Sequence, residues 1–203
     1  MIQVLFQAAG KRFRKKWVFK GLDLSFDPGQ RYVILGKNGS GKSTLLRMAA
    51  GYLTPTCGRI EWYDKGRIAE PDSVYARVSL TSPSLELPEE FSFPEIINFH
   101  KQFKAFPGNL TTSDVVRYSG LQDFNGKSIK EYSSGMKQRV KLVLAILPET
   151  KLLLLDEPCT NLDKESRAWY KLLLEEYGAG KTVVVASNHN PEEYTNDFIA
   201  INL

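Results

Sequence analysis

The sequence predicts an α/β fold with a mostly parallel sheet. Short apolar runs alternate with stretches of helical composition along much of the chain. A glycine-rich turn joins one of those runs to a helix, and the most apolar runs are continuous, as strands buried on both faces are.

Taken in order, residues 2–8 and 22–26 read as strands, the second alternating Leu22, Leu24 and Phe26 as a half-buried strand does. Asp27-Pro28-Gly29 is a turn, proline presetting φ and glycine supplying the conformation other residues resist. Residues 31–35 form a short buried run that ends at Gly36. Residues 42–50 have helical composition, stopped by Gly51. Strands are expected at 58–63 and 74–80, divided by the polar turn Asp64-Lys65-Gly66. From about residue 81 to 130 the composition shifts. Pro83, Pro88, Pro94 and Pro107 break the chain, and helices are expected at 94–106 and 113–119. Ser133 or Ser134 caps a helix running to Leu147 and stopped by Pro148. Buried strands at 151–156 and 182–187 flank a helix at 164–177, and residues 197–203 close the chain as a strand.

Composition narrows the function classes. Hydrophobic residues make up 42% and charged residues 25%, an ordinary globular balance that argues against disorder, collagen and coiled coil. No apolar run approaches the roughly 18 residues that a membrane span needs. No basic residue precedes the first apolar stretch, so no signal peptide is expected. The two cysteines, Cys57 and Cys159, lie far apart without CxxC spacing, which fits a reducing, cytoplasmic compartment. A net charge of +4 is too mild to predict nucleic-acid binding, and no nucleic-acid partner is expected.

Three segments carry chemistry. Gly36-Lys37-Asn38-Gly39-Ser40-Gly41-Lys42-Ser43, followed by Thr44, fits the phosphate-loop pattern G-x-x-x-x-G-K-[ST]. Glycines let backbone N–H groups curl around phosphates, and the following helix N-terminus adds its positive dipole. Lys42 would reach the β- and γ-phosphates of ATP, and the Ser43 hydroxyl would ligate Mg²⁺. With glycine near 7% of residues, chance produces these four fixed positions in such a chain about 1% of the time. The second segment, Leu152-Leu153-Leu154-Leu155-Asp156-Glu157, is a hydrophobic strand ending in two acids. Asp156 would hold Mg²⁺ through water, and Glu157 could take a proton from an attacking water. The third is Tyr132-Ser133-Ser134-Gly135-Met136-Lys137-Gln138-Arg139, where a serine hydroxyl and free N–H groups at a helix start make an anion site.

This third segment resembles the L-S-G-G-Q signature of ABC ATPases, with Tyr132 for Leu, Ser134 for the first Gly and Met136 for Gln. The resemblance extends from about residue 13 to 203. It implies a P-loop NTPase core, an N-terminal antiparallel β subdomain, and a helical subdomain formed by about 82–130 and the signature helix, together a single ABC ATPase domain over residues 1–203. Thr160-Asn161-Leu162-Asp163 looks like the family's D-loop, with Asp163 near the nucleotide. Phe13 stands where the family places an aromatic against adenine, and Trp17 is the rival platform. Ser82 occupies about the position of the family's Mg²⁺-contacting glutamine but is too short to act directly. The family's switch histidine follows a Ser or Thr. Here Ser187 is followed by Asn188 and then His189, so either Asn188 replaces the histidine or the turn is shifted to present His189. The family register favours Asn188.

The resemblance implies an ATP-hydrolysing subunit of a transporter. It would work as a head-to-tail homodimer or heterodimer on separate transmembrane permease subunits, peripheral to the inner face of the cell membrane. The rival readings are an ABC-family ATPase acting on ribosomes or DNA, and a small-molecule kinase using the same phosphate loop. A kinase would leave the signature segment and the D-loop unexplained.

Overall fold

Two long antiparallel strands, β1 (Ile2–Phe13) and β2 (Lys16–Phe26), open the chain. This is a computed structural model that describes residues 2–124 and 126–203, the side chain at 109 excepted. Both strands run well past the expected 2–8 and 22–26. Their register slips between Phe6 and Ala9, between Ala9 and Lys11, and between Lys11 and Arg12. Each slip disturbs the in–out alternation, so the period-two pattern that marks a strand in the sequence is lost there. After β3 (Arg31–Leu35) and α1 (Lys42–Ala49), β4 (Cys57–Asp64) pairs with β1 and with the two-residue β5 (Arg67–Ile68). The result is an antiparallel sheet in the order β2-β1-β4-β5.

The expected strand at 74–80 is shorter than the sequence suggests. Residues before it form α2 (Pro71–Val74) and a 3-10 turn (Tyr75–Arg77), and β6 is only Val78–Thr81. Pro71 favours a helical first turn, and the Arg77 guanidinium donates to the Ser73 carbonyl at 2.7 Å, closing the turn. The proline-broken region then contributes α3 (Phe93–His100) and α4 (Thr112–Ser119), each started by a capping box. Helix α3 stops short of the expected residue 106. The Lys104 ammonium donates to the Val78 carbonyl at 2.6 Å and ties the turn after α3 to the start of β6. Next come α5 (Ser134–Ile146), capped by Ser133, β7 (Leu152–Asp156), α6 (Lys164–Gly178), β8 (Thr182–Ser187) and β9 (Ile199–Asn202).

Strands β6, β7, β8, β3 and β9 form a parallel sheet in that order. Its central strands are buried on both faces. Val33, Leu153, Leu155, Val183 and Val185 join one core with α3 to α6, including the fully buried Tyr170. Ile34, Leu152, Leu154, Val184 and Ala186 join the other, with α1 and the antiparallel sheet. Register fixes the site: Leu35 pairs with Ser187 and Asp156 with Ala186, so the turns after β3, β7 and β8 emerge side by side.

Thr182 joins the two sheets. Its buried hydroxyl accepts from the Gly29 N–H at 3.0 Å and donates to the Ile2 carbonyl at 3.0 Å. Thr182→Val keeps the volume and strands both partners. It should lower the free energy of unfolding by about 1–3 kcal/mol in a denaturant titration, with Thr182→Ser retaining most of it. Equal stability of Thr182→Val and the natural chain would remove this hydroxyl from the account of how the sheets are joined.

Candidate active site

The phosphate loop leaves β3 at Gly36, where a side chain has no room: a Cβ would lie 2.6 Å from Ser40 Oγ and 2.7 Å from the Leu203 carbonyl oxygen. Gly41 takes φ 110°, and a Cβ there would lie 2.5 Å from Val18. Glycine at these two positions lets the backbone bend into the first turn of α1. Lys42 is 4% exposed, its Nζ donating to the Gly36 carbonyl at 2.7 Å and the Lys37 carbonyl at 3.2 Å. The Ser40 hydroxyl is buried without a protein partner. A lysine ammonium, a free hydroxyl and a helix N-terminus thus converge, which suits an anion. Ser43 and Thr44 sit in the first turn of α1, Ser43 exposed.

Asp156 ends β7 beside this loop. Burial pushes its carboxyl above the ordinary range; the Ser43 hydroxyl and the Lys42 and Arg47 charges pull it down, and Glu157 pushes it up. Glu157 takes φ 45°, a left-handed conformation that is strained for a residue with a side chain. Its N–H donates to the Ala186 carbonyl at 2.9 Å, which fixes the turn. Glu157 lines a cleft of about 360 Å³ together with Phe13, Asn38, Gly39, Gly41, Lys42, Ser43 and Thr44. Phe13 is half exposed there, with the Lys11 ammonium 5.4 Å from its ring centroid. Trp17, the rival aromatic, is flanked by Arg12 and Lys20 and does not line the cleft.

A second cleft of about 350 Å³ is lined by Ser133, Ser134, Gly135, Arg139, Asn161 and Asp163, among others. Ser133 caps α5 by accepting from the Met136 N–H at 3.2 Å. Asp163 caps α6 by accepting from the Ser166 N–H at 2.8 Å, and that bond draws its carboxyl below the ordinary range. The two segments touch: a Cβ on Gly135 would lie 2.9 Å from the Asn161 carbonyl oxygen, and the buried Gln138 amide donates to the Pro158 carbonyl at 2.9 Å. Among the described residues none lines both clefts.

Among the candidate residues, Gly36, Lys37, Ser40, Asp156, Ser82, Asn188 and His189 line neither cleft. Ser82 is buried just after β6, its hydroxyl 3.0 Å from that of Ser84, which accepts from Arg47 at 2.7 Å. Asn188 and His189 are exposed in the turn after β8, His189 at φ 57°. Ser187 Oγ accepts from the Asn190 N–H at 3.0 Å and closes that turn. Motif reading missed Arg139, whose guanidinium lies 4.5 Å from the Trp169 ring centroid at the second cleft, and Glu193, an acid only 3% exposed behind the turns. Nothing in the run Asn190-Pro191-Glu192-Glu193 distinguishes a buried acid from a solvated one.

The chain is similar to known proteins in both sequence and fold. The chain is 30% identical over 194 residues to the uncharacterized ABC transporter ATP-binding protein YybJ of Bacillus subtilis, covering 95% of this chain and 87% of that one. It is 34% identical to the cytochrome c biogenesis ATP-binding export protein CcmA of Paramagnetospirillum magneticum, over 85% of this chain and 81% of that one. It is 32% identical to the daunorubicin/doxorubicin resistance ATP-binding protein DrrA of Streptomyces peucetius, over 85% of this chain but only 53% of that longer one. The fold matches a putative ABC transporter ATP-binding protein from Pyrococcus furiosus with a TM-score of 0.79 at 21% identity, over 99% of this chain and 97% of that one. It matches the ATP-binding cassette MJ0796 with a TM-score of 0.78 at 22% identity, over 92% and 88%. A sequence model of the ABC transporter family matches residues 19–160, and the chain belongs to that family as an ATP-binding domain.

Proposed function

We propose that this chain hydrolyses ATP as the motor subunit of an ABC transporter, paired head to tail with a second copy or another ABC ATPase and seated on separate permease subunits. The division of the site carries this reading. The phosphate loop, Glu157 and Phe13 share one cleft, and Ser133, Ser134, Gly135 and Asp163 share another. A second chain turned end for end brings its second cleft over the first cleft of its neighbour. The MJ0796 cassette, of the same fold, is a dimer in a post-hydrolysis state with ADP and Pi. The names of DrrA and CcmA, a resistance protein and an export protein, favour transport over work on ribosomes or DNA. The capped signature helix and D-loop have no part in a small-molecule kinase.

In this reading Phe13 stacks on adenine, and the backbone of residues 36–41 with Ser43 and Thr44 cradles the phosphates. Lys42 exchanges its loop carbonyls for β- and γ-phosphate oxygens. Glu157 accepts the proton of the attacking water, its strained backbone aiming the carboxylate into the cleft. The partner subunit's second cleft caps the γ-phosphate. Ser43, and Asp156 through water, would hold Mg²⁺; a hydroxyl and a carboxylate suit a hard cation. When bound, that ion supplies charge neutralisation at the phosphates. Among the described residues no cluster of three His, Cys, Asp or Glu side chains is placed to hold a metal ion. Ser82 takes the place of the family's glutamine, linked to α1 through Ser84 and Arg47. Asn188 takes the switch position beside the γ-phosphate, with His189 outside it.

No helix among the described residues is long and apolar enough to cross a membrane. We place the chain on the cytoplasmic face of the cell membrane, held there by its permease partners, with no nucleic-acid partner.

Binding and turnover separate in the tests. Lys42→Ala removes charge-assisted contacts and should weaken Mg-ATP binding by about 1.5–3 kcal/mol in an equilibrium titration with labelled nucleotide. Undiminished affinity would contradict the phosphate-loop assignment. In phosphate-release assays Glu157→Gln should bind ATP without turning it over. Asn188→Ala should lose about 100-fold in rate, more than His189→Ala. A nearly inactive His189→Ala beside an active Asn188→Ala would move the histidine into the site.

A further inference from the structure

We propose that Glu193 is a positioning residue for ATP hydrolysis, holding the turn after β7 against the turn after β8. The proposal rests on the hydrolytic reading above. Glu193 lies in an irregular segment after β8, yet its side chain is only 3% exposed. Its Oε1 accepts from the backbone N–H of Cys159, two residues beyond Glu157, at 3.4 Å. Its own N–H donates to the Asn190 carbonyl at 3.1 Å, and the buried Tyr170 hydroxyl donates to its carbonyl at 2.9 Å. The Cys159 thiol donates to the neighbouring Glu192 carbonyl at 3.4 Å.

The carboxyl therefore spans two turns that carry the proposed chemistry. At the other end the turn after β7 is tied to β8 itself, the Glu157 N–H donating to the Ala186 carbonyl at 2.9 Å. Glu157 sits at φ 45° between these two struts, and strained backbone persists only where its surroundings over-determine it. Losing one strut frees the turn to relax and re-aim Glu157.

Packing alone gives no reason for an acid here. Oε2 is buried and has no protein partner, and an apolar side chain would fill the space without that cost. Burial raises the carboxyl above its ordinary range, opposed by Ser187, the Cys159 N–H and Asn190, with the Glu157 charge raising it further. Glutamine has the shape of this side chain and offers the same oxygen acceptor to the Cys159 N–H, so it should substitute for Glu193.

The test compares the full chain with Glu193→Gln, Glu193→Met and Tyr170→Phe in Mg-ATP titration, phosphate release and thermal unfolding. Glu193→Met fills the space without an acceptor. Its affinity for Mg-ATP should stay within about 2-fold while its rate falls about 10- to 100-fold, the cost of a misplaced reacting group. Glu193→Gln should keep its rate within about 3-fold, because its amide oxygen can accept the same bond. Tyr170→Phe leaves the carboxyl in place but releases its segment, and should slow turnover less than Glu193→Met. A Glu193→Met chain as fast as the natural one overturns the proposal, as does loss of affinity and rate together or failure of Glu193→Gln to rescue. Should Glu193→Met not fold, a folded Tyr170→Phe with full turnover overturns it. If the natural chain binds ATP but does not hydrolyse it, the hydrolytic reading itself falls; an active natural chain with an equally active Glu193→Met removes only the role of Glu193.

Discussion

Level termination of β3, β7 and β8 at one edge of the parallel sheet is the constraint on which the site depends. Leu35 lies opposite Ser187, and Asp156 opposite Ala186. This register places the phosphate loop, the Asp156-Glu157 pair and the turn at Asn188 next to one another, although they come from distant parts of the chain. Burial on both faces enforces it. Moving β7 by one residue would exchange the side chains that meet α5 and α6 with those that meet α1. Every residue of β7 is buried, so the exchange would disrupt both cores and displace Asp156.

That arrangement concentrates electrostatic and conformational strain where chemistry is expected. Asp156 is buried beside Ser43 and Lys42, and Glu157 is held in a left-handed turn by a strand carbonyl. Lys42 is buried yet satisfied by two loop carbonyls, an arrangement that keeps its charge close to the mouth of the cleft. A stable fold gains nothing from such features by themselves. They fit a cleft whose groups are oriented in advance for a highly charged substrate.

Legibility in the sequence followed the range of the interactions. The phosphate loop was readable because its demands are local: glycine where a Cβ collides, lysine and serine at the helix start. β7 and β8 were readable because strands covered on both faces are continuously apolar. β1 and β2 were cut short because slips in pairing erase alternation, and the strand at 74–80 was overextended because a proline and an arginine–carbonyl bond convert its start into helix and turn. The serine pair linked to Arg47 and the buried Glu193 left no trace, since both depend on contacts between segments far apart in the chain. The separation of Ser133 and Gly135 from the phosphate-loop cleft likewise depends on the folded arrangement of distant segments.

In the proposed dimer each ATP site is completed by a second chain, and mixing two defective chains tests this most directly. Lys42→Ala disables the phosphate loop, and Ser134→Glu places a negative charge at the exposed start of α5 where a phosphate would lie. Each should be nearly inactive alone. Mixed dimers hold one intact site, built from the unaltered phosphate loop of one chain and the unaltered second cleft of the other. An equimolar mixture should therefore regain on the order of a quarter of the natural phosphate-release rate, since half of the dimers are mixed and each has one of two sites working. A mixture as inactive as its components, or undiminished turnover by Ser134→Glu alone, would contradict a shared site.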